Sequence, residues 1–183
     1  MKYCPKKERV TIGDSIFLVP YQNGFEFDFF NLVQKNIDRL KDSFPNMVRK
    51  NETVDGTKSY FEEKNIFWNK NIEYANLIFF EELLIGHFNI KDINIKKSTV
   101  ELSYFIDKDF EKRGIVFQII ENRKKFIFNQ LNIKTIKARC NINNKESEKV
   151  MQRAGMQYEG TIYQNYKTYD EMPVDTYIYS ITQ

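Results

Sequence analysis

Apolar residues along the chain follow two periodicities, and the switches between them outline the elements. Residues 9–21 (RVTIGDSIFLVPY) are rich in Val, Ile and Phe around a Gly13-Asp14 turn signal, which predicts a β-hairpin or a bent strand. Over 25–44, Phe29, Phe30, Leu32, Val33, Ile37 and Leu40 recur at steps of three and four, which predicts a helix with one buried face, ended by Pro45. A second helix is expected from Thr53, a capping residue followed by an early carboxylate at Asp55, with Tyr60, Phe61, Ile66, Phe67 and Trp68 as its apolar contacts. Between 73 and 107 the character changes to strand. YANLIFF, a turn at Glu81-Glu82, LLIGHFNI, a polar loop INIKKS and TVELSYFID read as an antiparallel meander. From Gly114, the residues Val116, Ile119, Ile120, Phe126, Ile127 and Leu131 outline an amphipathic helix, and the short strand TIKARC follows. A helix over 144–154 closes at Gly155, and MQYEGTIYQNYKT and VDTYIYSI supply two last strands. The order is strand, two helices, three strands, helix, strand, helix, two strands. Such an order predicts a mixed α/β (α+β) fold, a sheet covered by helices, in a single domain over 1–183 without internal repeat or linker.

Composition narrows the class. A chain of 183 residues with 42% hydrophobic and 29% charged residues fits one soluble domain with its own core. Sixteen Phe and eleven Tyr imply that the core and any ligand cleft are lined by rings. The net charge of +3, with both signs interspersed, does not on charge alone imply a nucleic-acid surface, no nucleic-acid partner is expected, and local charge must decide. Cys4 and Cys140 match no CxxC pattern, and with one histidine the chain has too few ligands for zinc, so no metal is expected and both cysteines read as free thiols of a reducing cytoplasm. The start MKYCPKKERV lacks the apolar run of a signal peptide, and no window reaches the roughly 18 apolar residues of a membrane span, so a cytoplasmic protein with no membrane partner is expected.

One junction carries chemistry. In ELSYFIDKDFEKRGIVFQII a strand ends, a charged loop follows and a helix begins at Gly114. A helix start exposes unpaired N–H groups and the positive end of the dipole, which together can bind an anion, and Lys112 and Arg113 add charge. The plainer alternative is a charged loop that caps an ordinary helix. Neither GxGxxG nor GxxxxGK[ST] occurs, so dinucleotide binding and nucleotide hydrolysis gain no support.

A second segment, NINNKESEKVMQRAGMQYEG, places Asn144, Ser147, Val150, Gly155, Glu159 and Gly160 at the spacing N-x-x-S-x-x-V-x4-G-x3-E-G. This resembles the C-terminal signature of GNAT N-acetyltransferases of the RimJ/RimL type. Residues 101–107 are similar to that family's fourth strand, 111–116 occupy the place of its pyrophosphate loop, and Asn36, Asp38, Arg39, Leu40, Phe44 and Pro45 resemble its first helix and the turn after it. The family's loop pattern Q/R-x-x-G-x-G/A reads Glu111-Lys112-Arg113-Gly114-Ile115-Val116, with an acid in the first place and valine in the last.

The resemblance implies a seven-stranded, mostly antiparallel sheet with about four helices, its fourth and fifth strands splayed. It implies acetyl-CoA as co-substrate, with Phe105, Ile106 and Asp107 along the pantetheine arm and Lys112, Arg113, Gly114, Ile115 and Val116 around the phosphates. Many family members place a tyrosine seven residues after the Asn144 position, where this chain has Met151; the RimJ/RimL-type pattern has serine at the Ser147 position, close to the thioester sulfur, and the resemblance thus implies Ser147 as the candidate proton donor to the departing thiolate. Ser147 is alternatively a helix cap, and Asn144 is a cap, a ligand of the arm, or both. Glu101 is the candidate base, against the reading that it is a surface carboxylate or that water takes the proton; Glu159 is the other carboxylate in play. Tyr104, Tyr163 and Tyr166 either line the amine pocket or pack in the sheet, and the lone His87 is assigned no role. Expected partners are a protein or peptide N-terminal amine, or a small amine such as a polyamine, amino acid or aminoglycoside; a non-catalytic acyl-CoA-binding domain is the third reading. Monomer and homodimer both remain open.

Overall fold

The computed structural model describes residues 7–183, so Cys4 lies outside it. The opening hairpin is β1 (Val10–Ile12) and β2 (Ile16–Pro20). The single helix expected over 25–44 is two, α1 (Glu26–Lys35) and α2 (Ile37–Ser43), broken at Asn36. The buried Asn36 amide donates to the Leu32 carbonyl at 3.0 Å while its Oδ1 accepts from the Lys108 N–H at 3.2 Å, so a short polar side chain competes with the helix for its own backbone. α2 stops at Ser43, with Phe44 as its C-cap immediately before Pro45, as expected of a proline. Pro45 also opens α3 (Pro45–Lys50), at the first position, where its missing N–H removes no intrahelical bond. α4 (Val54–Asn69) starts where expected, with Thr53 Oγ1 accepting from the Gly56 N–H at 3.0 Å.

The meander is β3 (Tyr74–Phe80), β4 (Leu83–Asn94) and β5 (Thr99–Ile106), with β4 running on into the first residues of the expected polar loop. A 3-10 turn, Lys108–Phe110, leads to α5 (Ile115–Asn129), followed by β6 (Thr135–Asn141), α6 (Lys145–Arg153), β7 (Gln157–Lys167) and β8 (Pro173–Thr182). The described residues thus hold eight strands and six α-helices rather than about seven and four, because the hairpin counts twice, the first helix is broken and α3 was not foreseen.

All strands form one sheet in the order β1-β2-β3-β4-β5-β6-β8-β7, antiparallel except for β5 with β6. Alternation along β3 divides the core. Ala75, Leu77 and Phe79 pack with α1 to α4 in one cluster, and Tyr74 and Ile78 pack with α5 and α6 in the other. In the first, Tyr21, Phe29 and Phe61 meet edge to face with ring centroids 4.6–5.6 Å apart. Full burial of such a ring is worth about 1.5–3 kcal/mol. On β4, a Cβ at Gly86 would lie 2.4 Å from the Phe105 carbonyl oxygen, so only glycine lets β4 and β5 come this close.

The register opens the sheet at one place. β5 and β6 pair from Thr99↔Thr135 to Leu102↔Ala138, where the pairing stops. Beyond it, Tyr104 and Phe105 stay with β4, whereas Arg139, Cys140 and Asn141 follow β8. The result is the fork expected between the family's fourth and fifth strands, here β5 and β6.

Candidate active site

Two cavities meet at the fork. One, of about 590 Å³, runs along the free edge of β5 to the start of α5, with α6 as its other wall. The second, of about 680 Å³, lies between α3, α4, the sheet and β7. Both are lined by Ser43, Phe44, Tyr104, Asn141, Asn144 and Ser147, so a molecule in either reaches the same seam.

The first cavity reaches the start of a helix. Gly114 precedes α5 with φ +73°, a left-handed conformation, and Gly114, Ile115 and Val116, where the helix's unpaired N–H groups lie, line the wall. Lys112, also in the wall, is left-handed at φ +61°. The Val116 side chain is 8% exposed and packs into the core, so it does not close the loop. Arg113 lies outside the lining, folded over the Phe110 ring at 4.7 Å and donating to the Asp109 carbonyl at 2.9 Å. Its place is taken by Arg153, which sits over the Phe117 ring at 4.2 Å with Nη1 3.6 Å from where a Gly114 Cβ would be. Arg153 was not foreseen, although Lys145, Lys149 and Arg153 recur every four residues and all line this cavity.

The junction of α1 and α2 grips the loop from outside. Lys35 Nζ donates to Asp107 at 2.7 Å and to Asp109 at 2.5 Å, and Arg39 pairs with Glu111. The Lys35 ammonium holds the Asp109 carboxyl below its ordinary range. Arg39 also answers the acid in the first place of the loop, since its guanidinium neutralises Glu111 at the cavity wall. Phe105 and Ile106 line the cavity, whereas the buried Asp107 does not; it caps the 3-10 turn by accepting from the Asp109 N–H at 3.2 Å.

At the seam the cap question has an answer. Asn144 Oδ1 accepts from the Ser147 N–H at 3.0 Å, so Asn144 caps α6 and the Ser147 hydroxyl is left for other work. That hydroxyl lies 3.2 Å from the Tyr104 hydroxyl. Burial pushes the Tyr104 phenol well above its usual range, partly offset by the bond to Ser147, so it stays protonated. Cys140 is a buried thiol pushed up to about 11, chiefly by burial, and it is therefore a poor nucleophile at neutral pH.

In the second cavity Glu101 is 14% exposed and clasped by Arg139 through both oxygens, at 2.8 and 3.0 Å, and by Lys91 at 3.0 Å. Behind it Lys64 and Glu73 form a buried pair at 2.6 Å, with Asn89 donating to Glu73 at 2.9 Å. His87 is buried on the same wall, hydrogen-bonded to the Tyr21 hydroxyl at 2.8 Å, and burial followed by the charges of Lys64 and Lys91 keeps it neutral. Tyr166 lines this cavity and donates to the Asp42 carbonyl at 2.6 Å. Tyr163 is 76% exposed, and Glu159 accepts from Ser180 on the sheet. Among the described residues no three His, Cys, Asp or Glu side chains gather as metal ligands, and no helix is long and apolar enough to cross a membrane.

Comparison with known proteins agrees with this layout. The acetyltransferase (GNAT) domain family matches residues 27–157. The chain is 22% identical over 159 residues to the ribosomal-protein-serine acetyltransferase of Escherichia coli (strain K12), covering 86% of this chain and 87% of that one. Among solved structures it is similar to RimL, a ribosomal L7/L12 alpha-N-protein acetyltransferase in complex with coenzyme A, with a TM-score of 0.87, 18% identity and coverage of 96% and 98%. It is also similar to the microcin C7 self-immunity acetyltransferase MccE in complex with acetyl-CoA and AMP, with a TM-score of 0.83, 21% identity and coverage of 94% of each chain.

Proposed function

The chain belongs to the GNAT acetyltransferase family, and from that premise we propose that it acetylates the α-amine of a protein or peptide with acetyl-CoA as donor. The observation that carries this reading is the shared seam: a cavity that reaches the start of a helix, suited to a diphosphate and an amide-bearing arm, opens onto a polar cavity suited to an amine.

Acetyl-CoA supplies an activated acyl group when bound. The opening amides of α5, with Gly114, Lys112 and Arg153, are the groups that hold the diphosphate, while Arg39 cancels the charge of Glu111 beside them. The free edge of β5 at Phe105 and Ile106 offers backbone to the arm, and Asn144 holds the start of α6 in place. Ser147 is the proton donor to the departing sulfur. The Tyr104 hydroxyl, which stays protonated, lies 3.2 Å away, and by donating to the Ser147 oxygen during the reaction it would leave the serine proton free for the cleft, so Tyr104 acts as a positioning residue. Glu101, whose oxygens Arg139 and Lys91 hold at the wall of the second cavity, is the base for the amine proton by way of water rather than by direct contact.

The test follows thiol release from acetyl-CoA with peptides, Nα-blocked peptides and small amines. Free peptides are expected to turn over and blocked ones not. Ser147→Ala is expected to cost roughly one to three orders of magnitude in kcat, the scale of general acid catalysis. Acetyl-CoA binding without turnover on any amine would leave a binding domain and remove the reading. Better turnover of polyamines or aminoglycosides than of peptides would move the acceptor to the small-molecule class.

A further inference from the structure

The second cavity is asymmetric in charge, and the asymmetry is greater at its surface than in its composition. Its walls carry Arg49, Lys50, Lys64, Lys91, Arg139 and Lys167 against three carboxylates, Glu63, Glu73 and Glu101. Every one of those carboxylates is already neutralised. Lys50 holds both oxygens of Glu63 at 2.6 and 2.7 Å, Lys64 and Asn89 share Glu73, and Arg139 and Lys91 enclose Glu101. Glu73 and Glu101 are also recessed, with side chains 9% and 14% exposed, behind cations such as Arg49 at 38%, Arg139 at 34% and Lys167 at 64%. The partners of Arg49 and Lys167 differ. Both cations use Glu171, which is outside the cavity wall and 63% exposed, and so exposed a pair is held weakly in water.

A second ammonium entering this space would have to break an existing ion pair to find a counter-charge, and the sheet cations Lys91 and Arg139 are likewise taken up by Glu101 and Asp92, whereas an anion meets Arg49 on α3 and Lys167 on β7, two cations that share one exposed carboxylate, Glu171. We infer that the acceptor is an amine whose carrier bears a negative charge a short way from it: a peptide with Asp or Glu at its second or third residue. The inference rests on the N-terminal-amine reading above and narrows it. An extended peptide advances about 3.3–3.6 Å per residue, so with its amine at the Ser147 seam the next two side chains lie inside the second cavity, within reach of these walls. Diffuse attraction of this kind acts on encounter and on KM, and it weakens with salt.

The experiment compares three peptides with the same N-terminal serine, followed by Asp-Glu, Ala-Gln or Lys-Arg, at low and at physiological ionic strength. The acidic peptide is expected to have a kcat/KM about fivefold to tenfold above the neutral one, the basic peptide to be poorest, and the spread to narrow with salt. In Arg49→Gln and Lys167→Gln, both on exposed side chains, the ratio of acidic to neutral kcat/KM should move towards one. Circular dichroism checks that the variants fold. Equal rates for the three peptides, or a preference for the basic one, overturn the inference and leave the N-terminal reading standing. No turnover of any of the three removes the N-terminal reading and this refinement with it.

Discussion

The two cavities that meet at the β5–β6 fork are built by different means. The first, which we propose holds the diphosphate, is bounded by a left-handed glycine, the start of α5 and a strand edge left free where a parallel pairing stops. The second, which we propose takes the acceptor, is lined by residues from α3, α4, the middle strands and β7, far apart in sequence and partly held in ion pairs. A backbone site tolerates change in most side chains, yet depends on single conformations. A side-chain site tolerates backbone variation and is retuned by single substitutions.

Substitution at Gly114 gives the largest effect expected from this contrast. Gly114→Val meets little steric obstruction, since the nearest atom to the new Cβ is Arg153 Nη1 at 3.6 Å, but a β-branched residue at φ +73° is strained by about 1–3 kcal/mol. Calorimetry should show coenzyme A binding weakened about tenfold to hundredfold, with the KM for the amine little changed. Matching losses for both substrates would break the division into two cavities.

At the seam, Tyr104→Phe removes the hydroxyl 3.2 Å from that of Ser147 and should lower kcat about tenfold, the value of one hydrogen bond. On a Ser147→Ala background the same change should cost little more, because the two hydroxyls act in one chain. Additive losses would reduce Tyr104 to packing.

A smaller effect is expected outside the diphosphate loop. Arg39→Ala leaves Glu111 unpaired at the cavity wall and should weaken coenzyme A binding severalfold, while Arg39→Ala with Glu111→Gln restores it. Failure of the rescue would mean that Arg39 contributes position rather than charge.

The smallest effect sits in the acceptor wall and appears in stability. His87 is neutral when folded, with its pKa depressed, and titrates near 6.5 when unfolded. Below about pH 6.5 the unfolded chain takes up a proton that the folded chain refuses, so stability falls as pH falls, by at most about 1.4 kcal/mol per pH unit. Thermal unfolding of His87→Gln should show a shallower slope between pH 5 and 7 than the parent.

The difference in construction also decides what was legible. The strands, the cap at Thr53, the helix start at Gly114 and the spacing of Asn144 and Ser147 are local properties, set by residues within a turn or two of each other, and the chain carries them in plain order. By the same logic the break at Asn36 was hidden, because half of its cause is a hydrogen bond to Lys108 across the fold. Pro45 does mark the stop of α2, but that the same proline opens α3 was hidden, because a proline that ends one helix suits the first turn of the next equally well. The place of Arg153 over Phe117, the neutralisation of Glu111 by Arg39, and the hold of Arg139 on Glu101 join positions between 36 and 72 residues apart.

By itself, then, the sequence determined the family, the order of elements and the main-chain cradle, because periodicity, caps and glycine conformation act over short stretches. Only the tertiary structure decided which charges meet, which hydroxyl lies beside Ser147 and which charged side chains line the second cavity, because Coulomb forces and hydrogen bonds depend on distance in space and not on separation along the chain.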